Sequence, residues 1–151
     1  MTAGRAALAV AGTANLGVAL LHAAMVVVGP AAYLYFGAGP RFAARAAAGS
    51  PVPAVVTLML AVAFAVMGLY ALSGARCLPR LPLLRTVILL VGVVYVLRGL
   101  VLVPELRALL VLHAPVAVRM MVFSGVSLAI GLLYLAGAAA EWGTLSRRSR
   151  D

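Results

Sequence analysis

With 66% of its 151 residues hydrophobic, 10% charged and a mean hydropathy of +1.17, the chain has too few charges to cover a soluble domain, which needs roughly a quarter. Its formal charge of +9 comes from twelve arginines set against Glu105, Glu141 and Asp151. The arginines fall mostly at the ends of apolar runs and form no basic stripe interleaved with aromatics, which excludes a nucleic-acid partner. Cys77 is the lone cysteine, so the chain can build no intrachain disulfide, no CxxC redox site and no cysteine metal cluster.

The apolar residues fall into four runs, 6–28, 54–74, 83–103 and 118–142. Each is near the ~20 residues an α-helix needs to cross about 30 Å of hydrocarbon. The predicted fold is therefore all-α: one integral membrane domain over 1–151, built as a bundle of four transmembrane helices with short interfacial segments in the outer connections. Arg5 ahead of the first run gives it some likeness to a secretory leader. The run is longer than a leader's apolar core, however, and is expected to stay as a span.

The first connection, GPAAYLYFGAGPRFAARAAAGSPVP, gathers Tyr33, Tyr35 and Phe36 beside Gly and Pro, then offers 42–48 as a short helix with Arg41 and Arg45 close by. It reads as an aromatic segment at headgroup level. The third connection, 105–117, carries Leu106, Leu109, Leu110 and Leu112 and has the same interfacial character. With the N-terminus inside, Arg5, Arg76, Arg80, Arg85, Arg147, Arg148 and Arg150 lie on the cytoplasmic side, against Arg41, Arg45, Arg107 and Arg119 outside. The positive-inside bias places both termini in the cytoplasm, and Trp142, before the basic tail, is the expected interfacial aromatic. The absence of Lys and the wealth of Ala, Arg, Gly and Val suggest a GC-rich bacterial genome, and hence the inner (plasma) membrane.

In lipid the hydrophobic effect does not drive helix association, so small and polar residues repeating every three or four positions mark the contact faces. The first span has Gly12, Asn15, Ala19, His22, Val26 and Gly29 on one face; the second has Thr57, Ala61, Phe64, Gly68 and Ala71. In the third the face is Gly92, Tyr95 and Gly99, and in the fourth Ser124, Ser127, Gly131, Tyr134, Ala138 and Glu141. MGLYALSGA at 67–75 also aligns with IGLLYLAGA at 130–138, pairing Gly68 with Gly131 and Gly74 with Gly137, as a parallel duplication of a helix hairpin would.

Arg98 departs from this apolar pattern. An Arg at a helix centre costs roughly 2.5 to 3.5 kcal/mol on insertion scales, which snorkelling reduces. Taking Pro104 as the end of the helix puts Arg98 six residues, about 9 Å, inside it. One explanation is a lipid phosphate or an ion pair with Glu105; the other is a site for an anion. His22 in the first span lies at similar depth, Tyr95 is one turn further in, and Ser124 and Ser127 open the fourth span on the same side. Arg98, His22, Tyr95, Ser124 and Ser127 therefore form the candidate ligand-binding set.

Enzyme templates find little support. The membrane interior has no carboxylate for a Ser-His-Asp arrangement or for paired-acid work, and neither a P-loop, an HExxH nor a Gly-rich dinucleotide motif occurs. His22 and His113, one in mid-span and one in a loop, are poorly placed as axial haem ligands. No cofactor, metal or catalytic residue is expected. The expected function is binding, and possible transport or sensing, of a lipid or amphipathic anion in the outer half of the bundle. The alternative is a non-catalytic assembly subunit that docks a partner membrane protein, or a second copy of itself, through its small-residue faces.

Overall fold

The computed structural model describes residues 1–146; the tail arginines Arg147, Arg148 and Arg150, used in the orientation argument, lie outside them. Among the described residues every regular element is helical. In chain order they are α1 (Ala3–Val28), α2 (Pro30–Tyr35), α3 (Pro40–Ala47), α4 (Val52–Gly74), α5 (Leu84–Gly99), α6 (Leu102–Leu110), α7 (Val118–Ala140) and α8 (Trp142–Ser146). Four stretches are long and apolar enough to cross a membrane: α1, α4, the α5–α6 stretch Leu84–Leu110, and α7. The protein is thus a multi-pass all-helical membrane protein of the four-helix-bundle kind.

Proline and glycine set most boundaries. Gly29 (φ 77°) and Gly39 (φ 95°) adopt backbone conformations that side chains disfavour. Each is followed by a proline in the first turn of the next helix, where the missing N–H costs nothing. The short helix expected at 42–48 therefore begins at Pro40.

The third span differs from the expectation. Pro104 does not end it, and the chain continues to Leu110. In a straight helix the Pro104 ring would meet the carbonyl four residues back, that of Leu100, and could not donate to it. The helix instead tightens through Leu100 and Val101, whose ψ values are −15° and −21°, and the freed Leu100 carbonyl accepts from Val103 N–H at 3.0 Å. Proline here interrupts the regular helical ladder without ending the span, with Pro104 seated in the first turn of α6.

The chain forms two compact units. One comprises Met1–Thr13 and the described chain from Leu69 onward; the other is Ala14–Gly68. In the first unit all four spans meet at the end that carries the chain termini. A Cβ at Gly74 would stand 2.7 Å from Ile88 Cδ1 and 3.0 Å from Leu8 Cδ1, and one at Gly137 would stand 2.5 Å from Leu8 Cγ. The two glycines paired in the internal similarity therefore both abut Leu8. Along α5 and α7, Gly92, Tyr95, Gly99, Ser124, Gly131, Tyr134 and Ala138 are all buried, as the three- and four-residue spacing predicts. A Cβ at Gly131 would meet Val96 N at 2.7 Å, so the two backbones lie in near contact.

In the second unit Met25, Ala32, Tyr33 and Ala43 form a small core with Phe36, Phe42 and Ala46 against it. Tyr33, in the aromatic segment expected at headgroup level, is 2% exposed and packs edge-on against Phe42 with ring centroids 5.2 Å apart. The α2–α3 pairing that brings them together turns on Gly37 and Gly39. Tyr35 keeps the exposed position expected of an interfacial aromatic.

Candidate functional site

The first unit brings two of the five candidate residues into contact. Arg98, in the last turn of α5, donates from Nη1 to Ser124 Oγ on α7 at 3.1 Å. Ser124 is fully buried, whereas Arg98 is exposed, so the serine anchors a guanidinium whose charge faces outward. Being in the last turn, that charge also complements the partial negative charge of the helix C-terminus. Among the described residues no ion pair joins Arg98 to Glu105. The tightened turn at Leu100 and Val101 breaks the seven-residue register that would have put such a pair on one face, and Glu105 Oε2 is buried without a partner.

Tyr95, one turn before Arg98, is 8% exposed and stacks on Tyr134, with ring centroids 6.3 Å apart and planes 10° from parallel. This aromatic layer lies beneath the Arg98 turn and fixes the approach of α5 to α7. Ser127 donates to the Phe123 carbonyl one turn back at 2.8 Å, and its hydroxyl can still accept. His22 belongs to the other unit. There Nδ1 lies 2.8 Å from the Val18 carbonyl, and the ring rests 4.7 Å from that of Phe64. If Nδ1 carries the proton for that bond, Nε2 is left as an acceptor. Thr57, in the same unit, bonds back to the Pro53 carbonyl at 2.8 Å.

A second polar assembly closes the termini end of the first unit. Glu141, just past α7 and 7% exposed, accepts from the Thr2 hydroxyl on one oxygen and from the Thr144 hydroxyl on the other at 2.9 Å. Those two hydrogen bonds, then the charges of Arg5 and Arg76, hold its carboxyl below the ordinary value. Arg80 donates to the Thr144 carbonyl at 3.0 Å and to that of Leu145, supplying donors to carbonyls that the short α8 leaves open. Arg85 sits over the Trp142 ring at 3.2 Å, so the expected interfacial tryptophan also carries a cation. The Glu141–Thr2 bond links residues 139 apart in sequence, and residue spacing alone could not have revealed it.

Among the described residues no three His, Cys, Asp or Glu side chains gather to hold a metal ion. Comparison with protein-family models, curated proteins and solved structures finds no match to this chain.

Proposed function

We propose that this protein binds an anionic lipid or amphipathic anion at the Arg98–Ser124 pair, as a non-catalytic protein of the bacterial inner membrane with both termini in the cytoplasm. The observation that supports the reading is the hydrogen bond from Arg98 Nη1 to buried Ser124 Oγ. An arginine offers five N–H donors, and one tethered donor orients the planar fork without consuming it. An exposed guanidinium in a membrane-spanning stretch is costly unless it meets an anion, and a phosphate matches its bidentate geometry.

The stacked pair Tyr95 and Tyr134 provides a rigid base for that arginine. The reading does not require His22, and Ser127 would add an acceptor toward a ligand hydroxyl. With the termini inside, Ser124, six residues into α7, would lie with its partner Arg98 in the outer half of the bundle. The test is ligand-induced stabilisation in detergent micelles. Added phosphatidylglycerol should raise the melting temperature of the wild type more than phosphatidylcholine does, and Arg98→Gln should remove the difference. Equal responses in wild type and variant would overturn the reading.

A further inference from the structure

The α2–α3 hairpin of the second unit presents a separate basic surface. Arg41 and Arg45 are one turn apart on α3, which puts them on one face with Cβ atoms about 5 to 6 Å apart. Each is two positions, about 200° around the helix, from Ala43, which is buried in the small core with Phe42 and Ala46 packed beside it. The arginine face therefore points away from the packed face, and both residues are exposed. Together with Ala38, Phe42 and Ala44 they line an open cavity of about 550 Å³.

Residues 14–68 contain no Asp or Glu, so this unit has no carboxylate to balance the two cations. Like charges four residues apart on a helix repel, and a shared anion converts that repulsion into binding. We propose that the α2–α3 hairpin is a lipid-headgroup site in which Arg41 and Arg45 together hold the phosphate of one anionic lipid. Phe42 and the alanines supply the apolar wall against the upper part of the acyl chains. An amphipathic helix with paired cations on its polar face lies at the depth where such a headgroup sits. The site shares no residue with Arg98 and Ser124, and it stands whether or not that pair binds a ligand.

A local reporter tests it. Ala48, the exposed C-cap of α3, follows Arg45 by three residues, so Ala48→Trp in a Trp142→Phe background places the sole indole beside the site. In proteoliposomes, brominated phosphatidylglycerol should quench this tryptophan with an apparent association about fivefold or more above that of brominated phosphatidylcholine. The preference should vanish in Arg41→Gln/Arg45→Gln, persist in part in Arg41→Lys/Arg45→Lys, and be unchanged in Arg98→Gln. Circular dichroism should show equal helix content throughout. No preference in the parent, a preference that survives the double Gln variant, or equal loss in the Lys and Gln variants would each overturn the proposal. Removal of the preference by tens of millimolar inorganic phosphate would likewise overturn it, by assigning the arginines to free phosphate.

Discussion

Gly99 on α5 and Leu128 on α7 approach so closely that a Cβ on the glycine would lie 2.5 Å from the leucine's Cα. The obstruction is backbone, which cannot rotate aside, so Gly99→Ala must push the two helices apart. A cost of about 1 to 3 kcal/mol is expected from overpacking. Gly125, on α7, has nothing within 4 Å of the same virtual atom. Gly125→Ala should be neutral, or stabilising by up to about 1 kcal/mol through helix propensity. Thermal unfolding in detergent should therefore lower the midpoint for Gly99→Ala and not for Gly125→Ala; indistinguishable midpoints would refute the close approach.

Glu141 should make stability pH-dependent with a definite sign. Its carboxyl is held below the ordinary 4.5 in the folded protein, by the Thr2 and Thr144 hydrogen bonds first and by Arg5 and Arg76 after them. The stabilisation is then fully present above that ordinary value and is lost as pH falls through the folded-state value. Melting temperature should fall on acidification from pH 6 to pH 3. Glu141→Gln should be less stable at pH 7 and show a flatter profile, and a profile identical to wild type would remove Glu141 from the account.

The orientation can be read from the native thiol. Cys77 is exposed and follows α4 at the termini end, whereas Ser50 lies in the connection between α3 and α4. With cytoplasmic termini, a membrane-impermeant maleimide should label wild-type Cys77 only in inverted vesicles. Ser50→Cys in a Cys77→Ser background should label in intact cells. The reverse pattern would invert the topology and move the Arg98–Ser124 pair to the inner half of the bundle.

Much of this architecture can be read from the chain, because lipid makes helix contact depend on residue size. Most of the predicted small-residue positions of α5 and α7 are buried, but Ser127 is only half-buried and large residues off those faces, Ile88, Val91 and Ile130 among them, are buried too. The role of Pro104 was not legible in the same way. Proline both ends helices and kinks them, and which occurs depends on whether the carbonyl four residues back finds another donor, as Leu100 does in Val103. The burial of Tyr33 depends on the register between two short helices, which local sequence does not set. Depth reckoning put Arg98 and Ser124 in one layer, although the Arg98 count started from Pro104, past which the span runs on to Leu110. The bonds of Glu141 to Thr2, and of Arg80 to the α8 carbonyls, join distant parts of the chain and needed the fold.

Whether Arg98, oriented by Ser124, holds an anion is tested by native mass spectrometry of the protein released from mild detergent. The wild type should retain bound phosphatidylglycerol in preference to phosphatidylcholine. Arg98→Gln should lose about tenfold in retention, a loss of the size expected for removing a charge-assisted bidentate contact. Ser124→Ala should lose part of it, and Arg98→Lys should fall between Gln and wild type, because an ammonium keeps the charge but not the fork. Undiminished lipid retention in Arg98→Gln, with the variant folded and equally helical, would contradict anion binding there and leave Arg98 as a mid-span cation tied to α7 through Ser124.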